Sequence, residues 1–176
     1  PVSAKMRLGY LDEHHTLDNA HAIEDAGASW LTVHARTKAD GYTPPAYWEK
    51  IQPIQDALNI NVIANGEIWN NADAKACRQQ SACQDLMIGR GAVTTPDLTL
   101  CIRQNRDEVL LSWQDLVELQ LRFVNGAFKT EIGMVGRYKQ WLGMMSKAYP
   151  EAKALWNEIK RLKTLDEIVG KLQSHT

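Results

Sequence analysis

Four short clusters hold the residue types that do chemistry: Lys5 with Arg7, His34 with Arg36, the run Asn65-Gly66-Glu67, and the run Gly89-Arg90-Gly91. Bases that close an apolar run such as WLTVHARTK need an anionic or carbonyl-rich partner, because a buried unpaired charge is costly. In Gly89-Arg90-Gly91 two glycines free the backbone amides and arginine offers a fork shaped for phosphate. A helix opening directly after it would favour an anion as well. Asn65 carries a donor and an acceptor on one amide, and Gly66 lets the backbone approach a ligand closely. His34 alone reads more readily as a satisfied core histidine. With Lys5 and Arg36 on neighbouring strands it reads as part of a site.

The elements that must position these clusters recur four times. Strands are expected at 2–9, 29–36, 60–68 and 83–93, and helices at 16–27, 47–58, 71–81 and 96–104. Thr16 is expected to cap the first helix, Gly27 to stop it, and Pro53 to end or kink part of the second. Lys5, His34, Asn65 and Gly89 follow one another at intervals of 24 to 31 residues. Strands alternating with helices at this period argue for βα units on a parallel sheet. Every strand ends in functional-looking residues, which favours a TIM (β/α)8 barrel over an open doubly wound sheet with one switch point. Four units make half a barrel with two unpaired edges. Together with a start in mid-strand, PVSAKMRLGY, this leads to the expectation of a missing N-terminal barrel half upstream.

The period changes near residues 105–111, and helices are expected from Ser112 onward, with Leu116, Leu119, Leu121 and Phe123 as the first apolar stripe. The expected organisation is therefore an α/β half-barrel over 1–107, then a small all-α domain over 108–176. Residues 122–163 hold nine Lys/Arg against three acids, in a chain whose formal net charge is -1. A charge run of this kind reads equally as a plain solvated face. Aromatics interleave with these bases, which raises a polyanion-binding reading, although most of those aromatics are expected in the core of a small helical bundle. Charged residues make up 23% and hydrophobic ones 44% of 176 residues, ordinary for a globular chain. No run approaches the roughly 20 apolar residues of a membrane span. Cys77, Cys83 and Cys101 lack metal-type spacing and read as reduced structural thiols of a cytoplasmic protein.

The polar tips together describe a phosphorylated ligand across the mouth, its phosphate at Gly89-Arg90 and a polar ring near Lys5. Flavin mononucleotide (FMN) fits, with Lys5 compensating charge at the N1/O2 edge of the reduced ring. At this point VSAKMRLG, AGASWLTVHARTKADGY, VIANGEIWN and DLMIGRGAVTTPDL resemble, in order, the second half of the tRNA-dihydrouridine synthase barrel. FKTEIGMVGRYKQWLGMM resembles that family's C-terminal domain, and the tail with Thr37–Tyr42 is most similar to bacterial members acting on uridine 16.

The resemblance implies FMN at the barrel mouth, NADPH as its reductant, and hydride transfer to C6 of a flipped tRNA uridine whose C5 a cysteine acid protonates. Carried over, Lys5 would contact the flavin ring and His34 the flavin or the uracil. Asn65, Gly66 and Glu67 would hold the ribityl and phosphate side, and Gly89 and Arg90 the phosphate. Glu67 stands where many members have Asp. Arg36, Lys129, Arg137, Lys139 and Lys147 would meet tRNA, which must be gripped elsewhere while a base leaves its stack. The full-length form is expected to be a cytoplasmic monomer.

The family's cysteine acid lies on a loop of the first barrel half, and none of the three cysteines here matches it. No catalytic residue is therefore assigned in this chain. The alternatives are another FMN-dependent barrel oxidoreductase, of the dihydroorotate-dehydrogenase kind, and a fragment serving only as an RNA-binding or structural module. The expected outcome is that this chain, mixed with reduced FMN and tRNA, forms no dihydrouridine; detecting the modified base by nucleoside mass spectrometry would refute it.

Overall fold

The computed structural model describes residues 1–126 and 131–175. The strands are β1 (Ala4–Gly9), β2 (Trp30–Thr37), β3 (Asn61–Asn65) and β4 (Leu86–Met87). The helices of the first part are α1 (Thr16–Asp25), α2 (Gln52–Ala57) and α3 (Asn71–Ser81). After them come α4 (Arg90–Thr94), α5 (Leu98–Arg103), α6 (Trp113–Asn125), α7 (Glu131–Met145), α8 (Pro150–Ile159) and α9 (Leu165–Gln173). The chain divides into two compact units: Pro1–Gly91 with Ile102–Asp107, and Ala92–Cys101 with Glu108–Thr176. The short helices α4 and α5 each straddle a boundary between them.

The first unit is an α/β fold whose strands pair in sequence order, β1-β2-β3-β4, all parallel. Parallel neighbours need a crossover, and the helices supply it. Leu31, Val33, Ala35, Val62 and Ala64 are fully buried, which gives β2 and β3 their near-continuous apolar sequence. Ala20 of α1, Ile54 of α2 and Ala74 and Cys77 of α3 are buried as well. One register row crosses the whole sheet. Arg7 lies opposite His34, His34 opposite Asn65, and Asn65 opposite Met87. Paired residues of a parallel sheet project to the same face, so this row aligns four strand ends on one surface.

Two local expectations change and a third is met. Thr16 does not cap α1; its hydroxyl donates to the carbonyls of Glu13 (2.7 Å) and Leu8, tying the helix start to β1. The segment 47–58 is not one helix: it breaks just before Pro53, as that residue predicts, and Pro53 stands in the first turn of α2, where its missing N–H has no intrahelical partner to lose. A separate 3-10 turn at Trp48–Lys50 precedes it. The fourth strand, expected over 83–93, is only the two residues of β4, paired with β3 at the sheet edge, and α4 already begins at Arg90.

In the second unit α6 and α9 carry complete capping boxes, Ser112 with Asp115 and Thr164 with Glu167. The buried stripe of α6 is Leu116, Val117, Gln120 and Val124, while Leu119 and Phe123 stay half-exposed. Burial follows the face turned to Tyr138, Leu142, Leu155 and Ile168 rather than the count of apolar side chains. Gln120 is tolerated there because both ends of its amide are used. Its Nε2 donates to Leu116 O (2.9 Å), and Tyr138 donates to its Oε1 (2.8 Å). Tyr138→Phe removes that donor and leaves a buried acceptor unmet. We expect a loss of about 1–3 kcal/mol in urea unfolding, against less than about 0.5 kcal/mol for Lys163→Ala on the surface.

Candidate functional site

The C-terminal ends of the four strands open into one cleft of about 360 Å³. Lys5 and Arg7 come from β1, His34 from β2, Asn65 from β3, and Gly66–Trp69 from the loop beyond it. Met87 from β4 and Gly89–Gly91 complete the wall, with Tyr42 at the rim. The expected Lys5, His34, Asn65, Gly66, Glu67, Gly89 and Arg90 are therefore brought together. Arg7, which shares the Lys5 face two residues on, joins them. So do Tyr42 and Trp69, which nothing in their local sequence marks as site residues.

The β3 end is rigidly built. Asn65 Nδ2 donates to Met87 O (2.7 Å), which leaves its Oδ1 as an acceptor for another group. Gly66 has φ +130°, reserved for glycine, and a Cβ there would stand 3.1 Å from the Ala46 Cβ and 3.2 Å from His34 Cδ2. Trp48 Nε1 donates to Gly66 O at 2.7 Å and holds the turn. Glu67 then adopts φ +49°, an unfavourable backbone for a side chain with Cβ. Its Oε2 accepts from Trp69 Nε1 (2.9 Å), and its Oε1 accepts from Arg36 Nη1 (3.1 Å) and Arg90 Nη2 (2.6 Å).

Arg36 departs from its expected place. It is 0% exposed, with Nε donating to Pro45 O at 3.0 Å and Nη2 3.1 Å from Glu67 Oε1 but outside hydrogen-bond geometry. A side chain with no surface cannot meet a tRNA backbone; Arg36 is a buried cation held by a carboxylate. Arg7 Nη1 donates to Thr37 O (2.7 Å) and Gly41 O (3.0 Å), and its guanidinium lies 5.3 Å from the Tyr42 ring centroid. Arg90 lies 5.1 Å from the same ring and 5.2 Å from that of Trp69. The helix that begins at Arg90 has five residues, too short to add much of a dipole, so the anion preference rests on side chains and amides.

The electrostatics agree. Burial, then the charges of Arg7, Lys5, Arg36 and Arg90, push His34 down to about 4. Burial and Arg7 lower Lys5 as well. Burial pushes the Glu67 carboxyl up, but hydrogen bonds from Trp69 and Arg36 with the charges of Arg36 and Arg90 outweigh it and hold it below its usual value. The cleft gathers the solvent-accessible cations Lys5, Arg7 and Arg90, with Arg36 buried behind them, around one committed carboxylate, which suits an anionic ligand.

The chain matches the dihydrouridine synthase (Dus) family over residues 1–175. It belongs to the dihydrouridine synthase family. Among curated relatives it is similar to a tRNA-dihydrouridine(16) synthase of Shewanella oneidensis, 44% identical over 98% of this chain and 55% of the relative. Proteins of the same name from Pseudomonas syringae pv. tomato (43% identical; 96% of this chain, 55% of the relative) and Haemophilus influenzae (39%; 96% and 54%) are also similar. The chain thus spans about half the length of the curated relatives it matches.

Outside the cleft, Arg137 and Lys147 are exposed on the helical unit. Lys139 Nζ instead donates to the carbonyls of Lys160 (3.1 Å) and Leu162, closing the C-terminal end of α8. Lys129 lies outside the described residues. All three thiols are buried; burial pushes Cys77 up to about 12 and raises Cys83, so neither is a ready acid or nucleophile. Among the described residues no group of three or more His, Cys, Asp or Glu is placed to hold a metal ion, and no helix is long and apolar enough to cross a membrane.

His34 provides a direct check on the electrostatics of this cleft. A folded-state value near 4 lies below the unfolded 6.5, so the unfolded chain binds the extra proton first. Stability is full above about pH 6.5, falls as pH is lowered toward about 4, and changes no further from this group below that. NMR titration of the His34 ring is expected to show a midpoint near 4, moving upward when inorganic phosphate neutralises the neighbouring cations.

Proposed function

We propose that this chain provides the flavin-phosphate side and a tRNA-binding part of a flavin-dependent synthase that reduces uridine in tRNA to 5,6-dihydrouridine, at position 16. The observation that carries the reading is the register row Arg7–His34–Asn65–Met87 at the ends of four parallel strands, beside which Lys5 and Arg90 line the same cleft. Strands pairing in sequence order, each ending in site residues, support reading the sheet as half of a (β/α)8 barrel. The helical segment beyond residue 107 is read as a separate tRNA-binding domain, and the names of the relatives support tRNA as substrate.

The donor set fits FMN. Arg90 with the Gly89 and Gly91 amides would take the phosphate, and open space where a Gly89 Cβ would stand leaves that backbone approachable. Lys5 would lie at the ring edge and Asn65 Oδ1 would accept from a ligand donor. His34, neutral at pH 7, would hydrogen-bond without adding charge. FMN when bound supplies hydride transfer, with NADPH as the reductant that recharges it. Rim residues Tyr42 and Arg7 keep the mouth aromatic and cationic, suited to an unstacked base and its phosphates.

The rival barrel oxidoreductase leaves the exposed bases of the helical unit without a role. Two titrations test the proposal. FMN fluorescence quenching is expected to give a micromolar or tighter affinity, about -8 kcal/mol or better. tRNA retention is expected to weaken steeply with salt, and Arg137→Ala with Lys147→Ala to lower the log–log salt slope by about one for each lost phosphate contact. Absence of FMN binding, or tRNA binding indifferent to salt, would overturn it.

A further inference from the structure

Glu67 is an acid in a cleft that otherwise suits an anion. Its surroundings explain why it is there. Arg36 is fully buried, and the carboxylate paired with it is that of Glu67. Trp69 Nε1 holds the other oxygen at 2.9 Å, and the residue keeps a left-handed backbone. A carboxylate fixed from three directions cannot swing away. Arg90, 42% exposed along its side chain, is the solvent-facing member of the set, and it reaches Glu67 Oε1 through Nη2 alone at 2.6 Å. Nε and Nη1 remain for a second anion, while the Tyr42 and Trp69 rings limit where the guanidinium plane can turn.

We propose that Glu67 is a positioning residue: anchored by buried Arg36 and by Trp69, it orients the Arg90 fork toward a ligand phosphate and so makes the chain select phosphorylated over unphosphorylated flavin. The inference rests on the flavin reading above. Lys5, Arg7 and Arg90, with Arg36 behind them, outnumber the single carboxylate, so its repulsion toward a phosphate is outweighed. A charge-assisted hydrogen bond to a fixed partner gives the arginine a direction that solvent would not.

The test compares FMN with riboflavin, which differs only in lacking the phosphate, by fluorescence-quenching titration of the chain. Glu67→Gln is expected to weaken FMN about tenfold or more while changing riboflavin less than about twofold. The double variant Arg36→Met/Glu67→Gln removes both buried charges together and is expected to show the same selective loss. It reads the effect even where the single variant, with an uncompensated buried cation, does not fold. In an Arg90→Ala background Glu67→Gln is expected to have no further effect, since its action passes through Arg90. A purely structural role would weaken both flavins alike. If Arg90→Ala abolishes the preference for FMN but the Glu67 variants leave it unchanged or raise it, the positioning inference is overturned and the phosphate site stands. If Arg90→Ala also leaves the preference unchanged, the phosphate-site reading fails and the inference fails with it.

Discussion

A buried guanidinium must have a counter-charge, and much of the candidate site depends on how Arg36 obtains one. Removing one partner of such a pair costs about 3–5 kcal/mol, because the remaining charge is stranded in low dielectric. Glu67 can supply the charge only if the chain reverses sharply after β3, which requires the φ +130° of Gly66 and the left-handed backbone of Glu67 itself. That turn brings Trp69 and Ile68 into the cleft wall and places Gly66 against His34. One ion pair thus links the end of β2 to the loop after β3 and, through Arg90, to the loop after β4.

Around this fixed carboxylate the cleft remains cationic, and the charges act on one another. His34 is neutral at pH 7, because burial and four neighbouring cations oppose the imidazolium. It therefore brings hydrogen-bonding capacity to the mouth without adding to the repulsion among Lys5, Arg7 and Arg90. Arg7 spends its guanidinium on two backbone carbonyls at and beyond the end of β2, and this carries Tyr42 to the rim. The cleft is organised for a ligand that brings its own negative charge.

The helical unit solves a different problem. Its core is mostly apolar, Gln120 and Tyr138 meet by a hydrogen bond within it, and its bases are largely left to the outside. Lys139 shows why a basic stretch cannot be read residue by residue. At this position the ammonium is needed to meet carbonyls beyond α8, a structural duty indistinguishable in sequence from an RNA contact.

The sequence by itself determined the alternation of strands and helices, the caps Ser112 and Thr164, and the polar clusters that close each strand. Those features are local: period, turn chemistry and capping are written within a few residues of where they act. It also marked Lys5, His34, Asn65 and Gly89 as companions by their recurring spacing, although the residue paired with His34 on β1 is Arg7 rather than Lys5. Only the tertiary structure decided that Arg36 turns inward, that Glu67 answers it, and that Thr16 ties to Leu8 rather than capping α1. Only it showed that Tyr42 and Trp69 bracket Arg90. These depend on which side chains from distant strands arrive in one register row. A charged residue's role follows from the partner it finds there, which its own neighbours in sequence do not specify.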